Sequence, residues 1–176
     1  LGWSTFDTSA SGVVNHALTN VTITNNWVHH SNGSISIRGL AGSPTTSVTI
    51  TGNVWNNIGQ NGTGTSNNWA CIEVNTAVSV TISGNSASDT LPGSWGEGQV
   101  FQLWHVNNID VHSNTLTNNH QGIWFANPGN SAAAPTGAIH HNAISGTADF
   151  ALQAESAFSG GGTVNAENNW WGHPSG

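Results

Sequence analysis

Asp110 and His112 are separated by one residue, so on an extended chain they project to the same face. Aligned by the repeat described below, His140 falls on His112 one unit later, and His141 adjoins it. One carboxylate and two imidazoles within reach of each other make a donor set suited to a transition metal such as zinc. No short-spaced Cys/His motif strengthens it, and outward residues on stacked strands approach one another automatically. The plainer alternative is therefore an incidental column of exposed histidines. His29 and His30 are also adjacent and read as surface residues. A second set suits sugars rather than metals: Arg38, Glu73, Gln102, Trp104 and Trp124. Indole faces stack on sugar rings, while Gln, Glu and Arg bond hydroxyls. Its plainer alternative is a solvated face whose aromatics pack on their neighbours.

Both sets depend on elements that repeat. Val21–Val28 reads VTITNNWV, Val48–Trp55 reads VTITGNVW, Val80–Ala87 reads VTISGNSA and Ile109–Leu116 reads IDVHSNTL. The sixth-place asparagine recurs at Asn26, Asn53, Asn85, Asn114, Asn142 and Asn169, which sets a period of 27 to 32 residues. Such a period signals a solenoid. Alternation with period two marks a strand, with Val21/Ile23, Val48/Ile50, Val80/Ile82 and Ile109/Val111 inward. A second strand in each unit places Ile35/Ile37, Ile72/Val74, Phe101/Leu103, Ile123/Phe125 and Phe150/Leu152 inside. Its outward column is then Ser36, Glu73, Gln102, Trp124 and Ala151, beside Arg38, Asn75, Trp104 and Gln153. The short piece after each asparagine supplies a third strand. Three strands per turn make a coil, and the sequence predicts about six coils in an all-β, parallel β-helix.

The asparagines then acquire a reason. A turn between strands leaves backbone polar groups facing the interior, and a buried amide satisfies them while bonding the amide one coil above. Six in register form an internal ladder. Solvated turn asparagines are the alternative.

The phrase V-x-I-x-x-N with its later alternating strand resembles the right-handed parallel β-helix repeat of the pectate-lyase-like superfamily, over roughly Val13 to Gly176. The closing ENNWWGHPSG is similar to the end of repeat domains in large secreted and surface proteins. The resemblance implies a polysaccharide groove on the second-strand face, walled by the loops Asn56–Ala70 and Ser86–Gly98. It also implies a chemistry that this chain does not match. Related lyases use Lys or Arg as base or charge neutraliser, and here Lys and Arg total one residue, Arg38. Related hydrolases need clustered acids, whereas Glu73, Glu97 and Asp149 fall on different coils or loops. Thr22/Thr24, Thr49/Thr51 and Thr81/Ser83 form a two-column array that resembles the ice-binding faces of some β-solenoids, which Asp110/His112 interrupt.

Composition narrows the field further. The formal net charge is -7 with 5% charged residues, which excludes the clustered cations that nucleic acid and anionic lipid require. There is no apolar run of membrane-spanning length. Cys71 is the single cysteine and cannot form an internal disulfide; it reads as a small strand residue. Sequons stand at Asn20, Asn32 and Asn61.

The sequence is thus read as one domain over residues 1–176. Residues 1–12 are an extension or part of an entering coil, and 172–176 a tail. Leu1 follows no basic, apolar leader, which reads as a processed protein or a fragment. No segment resembles an amphipathic cap, so the coil ends are expected to associate with a second copy or adjoining domains. Trp170 or Trp171 is expected to plug the last coil, the other to offer a contact. The expectation is a non-catalytic extracellular or cell-surface module, a filament subunit or stalk segment, with no cofactor. The alternatives are a polysaccharide module and, behind it, an ice-binding face.

Overall fold

The computed structural model describes residues 18–31, 35–40, 42–59, 70–92, 98–126, 133–155, 158 and 160–172. Among them every regular element is a strand, and no helix is long and apolar enough to cross a membrane. The first coil runs through β1 (Thr22–Thr24), β2 (Trp27–His29) and β3 (Ile35–Arg38). Next come β4 (Thr45–Thr51), β5 (Val54–Asn56), β6 (Ile72–Ser83), β7 (Ser86–Ser88) and β8 (Gln99–His112). The chain continues through β9 (Thr115–Thr117), β10 (Gln121–Ala126), β11 (Gly137–His140), β12 (Ala143–Ser145), β13 (Leu152–Ala154) and β14 (Val164–Asn165).

All pairings between these strands are parallel, and each strand pairs with its counterpart one coil away, which defines a β-solenoid. The short sheet β12-β9-β7-β5-β2 has five strands and therefore spans four complete turns, with partial coils at either end. That is fewer than the expected six. Ser86–Ser88 is the third strand expected after Asn85, β7, so the loop expected over Ser86–Gly98 begins only after it.

Two elements differ from the three-strand expectation. The second strand of one coil and the first strand of the next fuse into the long β6 and β8. The fusion is bent by left-handed residues, Thr76 and Ser79 in β6 and His105 and Asn108 in β8, with φ between 51° and 58°. No glycine marks the bend, and only His105 and Asn108 are of types enriched in that region. In the last coil Leu152 pairs with Ile123. Phe150 therefore precedes the strand, and Gln153 takes the outward place expected of Ala151.

The interior is built as the alternation requires. Val48, Ile50, Ile72, Val74, Val80, Ile82, Phe101, Leu103, Ile109, Val111, Ile123, Phe125 and Ile139 are buried in one continuous core. Trp55 fills the centre, meeting Phe101 edge-on at 6.5 Å.

The asparagine ladder is complete over all six rungs. Asn85 shows the unit: its Oδ1 accepts from Asn53 N and Nδ2 at 2.9 and 3.0 Å, and its Nδ2 donates to Ile50 O and to Asn114 Oδ1, both at 2.9 Å. The same pattern passes from Asn26 through Asn53 and from Asn114 through Asn142 to Asn169. The inner rungs Asn85, Asn114 and Asn142 thus each satisfy a turn N–H and an inner-strand carbonyl that water cannot reach.

Candidate functional site

Strand alternation on β3, β6, β8, β10 and β13 turns one side chain in two outward, and the parallel register aligns them. One column runs Ser36, Glu73, Gln102, Trp124 and Gln153; its neighbour runs Arg38, Asn75, Trp104 and Ala126. All five sugar-facing candidates, Arg38, Glu73, Gln102, Trp104 and Trp124, therefore share one face.

The face is not a solvated one. Glu73 is 7% exposed and Gln102 fully buried, while Trp104 and Trp124 are half-buried and only Arg38 is exposed. Arg38 Nη2 donates to Glu73 Oε2 at 3.1 Å. Its Nε stands 3.0 Å from Glu73 Oε1, yet its single hydrogen goes to Ser36 Oγ at 3.0 Å. Glu73 Oε1 thus feels the guanidinium charge but receives no hydrogen bond. Nor do Gln102 Oε1 and Nε2 or Trp104 Nε1 find a partner. One carboxylate oxygen, both ends of an amide and an indole N–H are consequently buried without a hydrogen bond on two adjacent coils. Leaving each such group unmade costs about 1–3 kcal/mol, so the cluster is a standing demand for polar atoms.

Among the described residues the acids do not assemble for hydrolysis. Glu73 is held by Arg38, and Asp149 accepts from Gln121 Nε2 at 2.8 Å, which continues a buried amide chain from Gln99. Glu97 and the cores of the loops expected to wall the groove, 60–69 and 93–97, lie outside the described residues, as do Asn32, Asn61 and residues 1–12 and 173–176.

On the other stretch of the same long strands, Thr22, Thr49, Thr81, Asp110 and Ala138 form one outward column. Thr24, Thr51, Ser83, His112 and His140 form the next. The threonine array is in register for three coils, and Asp110/His112 end it. Asp110, His112 and His140 do meet: His140 Nε2 lies 3.0 Å from Asp110 Oδ1 and His112 Nε2 3.9 Å from Oδ2. The two imidazoles stack at 5.2 Å and 11°. They form a hydrogen-bonded stack rather than converging donors, and no group of three His, Cys, Asp or Glu among the described residues could hold a metal ion. Cys71 is fully buried, and burial pushes its thiol well above its ordinary range.

The ends of the described coils open onto apolar clefts. Val21, Ile23, Ile35 and Ile37 line one of about 500 Å³, with Arg38 at its edge. Phe125, Leu152, Phe158 and Val164 line one of about 290 Å³ at the other end. Trp171 packs against the core, and Trp170 stays 48% exposed. Trp27, which sequence reasoning passed over, is 65% exposed. Its signal was available: it follows a ladder asparagine, as Trp170 does. No family model, curated protein or solved structure matches the chain.

Proposed function

We propose that this chain is a non-catalytic structural module of an extracellular or cell-surface protein, whose coils continue head to tail onto a second copy. One observation carries the reading. Trp27, Val54, Ser86, Thr115 and Ala143 form a single outward column that the Ala143–Trp170 bridge extends, so an exposed tryptophan stands at each end. If the ladder continued from Asn169 to Asn26 of the next copy, Trp170 would lie one rung from that copy's Trp27. Each apolar cleft would be closed by the other. Contacts of this heterologous kind repeat without closing and generate filaments. The low charge and the Asn/Thr/Ser/Gly-rich surface support an extracellular setting, and the repeat motif alone supports membership of the pectate-lyase-like superfamily.

Electron microscopy with averaging along the fibre tests this. Six rungs at the strand spacing give an axial repeat of about 29 Å. A monodisperse monomer throughout a dilution series in the ultracentrifuge would overturn the reading.

A second reading is favoured by the unpaired polar cluster: a polysaccharide-binding face on which Trp124 and Trp104 stack against sugar rings while Glu73 and Gln102 bond hydroxyls. A glycan array compares wild type with Trp124→Ala, and absence of any signal for wild type removes it.

A further inference from the structure

We propose that His140 and His141 form a two-nitrogen chelate for a divalent ion of tetragonal preference, Cu(II) or Ni(II), with Asp110 as the residue that orients it. His141 sits in the left-handed region at φ 54°, and this folds its ring back across its neighbour. The two rings meet edge-on at 5.0 Å and 84°, with Nδ1 and Nδ1 2.7 Å apart.

Asp110 decides what those nitrogens offer. An ionised carboxylate only accepts hydrogen bonds, so at 3.0 Å the proton of neutral His140 must sit on Nε2. Its Nδ1 is left as a bare lone pair facing His141. This carboxylate–imidazole arrangement is the one that orients metal-bound histidines. In the ion-free pair His141 Nδ1–H donates to His140 Nδ1. Moving that proton to His141 Nε2 frees both Nδ1 atoms without changing the charge of either ring.

The separation selects the geometry. Two imidazole nitrogens about 2.0 Å from one ion stand about 2.8 Å apart at a right angle and about 3.3 Å apart at a tetrahedral angle. The 2.7 Å hydrogen bond of the ion-free pair need open by only about 0.1 Å for the right angle, against about 0.6 Å for the tetrahedral one, which favours a tetragonal ion with water in its remaining positions. His112 stays outside the set, since its Nδ1 is engaged by Ser113 Oγ at 3.2 Å.

The chain carries its own comparison. His29 and His30 repeat the turn: His30 has φ 51°, the rings are edge-on at 89°, and the Nδ1 atoms are 3.0 Å apart. Among the described residues Asp110 has no counterpart there, and His29 lies instead against Trp27, 4.5 Å between ring centres. The His140–His141 site should therefore be the tighter of two, by the roughly 10–100-fold that an orienting carboxylate contributes.

Cu(II) titration of the full chain, followed by electron paramagnetic resonance and calorimetry, tests this. The first equivalent should show coupling to two nitrogens. His141→Asn, which tolerates the left-handed turn, should remove that tight site, and Asp110→Ala should weaken it about 10–100-fold. His30→Asn should leave it intact. Unchanged tight binding in His141→Asn, at an unchanged circular dichroism spectrum, would overturn the proposal, as would coupling to a single nitrogen.

Discussion

Trp27 and Trp170 occupy the same outward column at opposite ends of the ladder, each directly after its asparagine, and both are exposed. Their position gives head-to-tail stacking a specific chemical signature. Trp170→Ser should abolish self-association without moving the thermal midpoint, because the backbone bond from Trp170 N to Asn142 O survives. Sedimentation velocity with a thermal melt checks both halves. Association at wild-type strength in Trp170→Ser would exclude this contact.

The ladder should be worth most at its middle. Asn85→Ala removes the acceptor for Asn53 N and Nδ2 and the donor to Ile50 O, all buried. At about 1–3 kcal/mol for each group left unpaired, a loss of at least about 3 kcal/mol is expected by urea denaturation. Asn26→Ala, at an exposed end rung, should cost about 1 kcal/mol or less.

Gln102 should show stability and binding moving in opposite directions. Its amide is buried and bonds nothing. Gln102→Leu should therefore stabilise the free protein by about 1–3 kcal/mol. Any glycan binding seen in wild type should fall in the same variant. A destabilised Gln102→Leu would mean that the amide has a partner in solution.

Cys71 should set an alkaline limit. Burial raises the folded thiol's pKa, whereas the unfolded thiol ionises near about 8.5. Below that pH the two states hold the same proton and the full stability is present. Above it the unfolded chain releases the proton first, so stability falls by about 1.4 kcal/mol per pH unit. The chain has no Tyr and no Lys, the other residue types whose ordinary values lie near this window. Chemical denaturation from pH 8 to 10.5 should show the slope in wild type and its loss in Cys71→Ala.

Much of this architecture was legible because the interior of a solenoid has a strict grammar. Val48, Val80 and Ile109 recur at one phase, and a buried turn leaves few alternatives to Asn53, Asn85 or Asn114. The fusion of strands into β6 and β8 was not legible, since Thr76, Ser79, His105 and Asn108 adopt positive φ without any glycine to mark it. The last coil slipped by two residues because Phe150 and Leu152 satisfy the same alternation from either starting point. At the site, the register of Arg38, Glu73, Gln102, Trp104 and Trp124 followed from the period alone. That Glu73 and Gln102 are buried did not, because a polar residue at an outward position reads as solvated until something covers it. The edge-on meeting of His140 and His141 depends on a backbone angle, and their adjacency carries no trace of it.

The side-chain amides of the ladder all point one way. Each Nδ2 gives to the rung after it, and each Oδ1 receives from the rung before. Their dipoles add along the axis instead of cancelling, so the rod is an arrow with two chemically different tips. At one tip Asn26 Oδ1 receives no hydrogen bond from the described residues; at the other, Asn169 Nδ2 keeps the bonds to Ile139 O and Glu167 O that Asn142 makes to Val111 O and His140 O, and also reaches Ala166 O where an inner rung would meet the next Oδ1. Adding a coil at the leading tip requires the bond to Ala166 O to be exchanged for one to the incoming Oδ1. The opposite tip needs no such rearrangement, so anything built by stacking these rods would lengthen at unequal rates from its two ends.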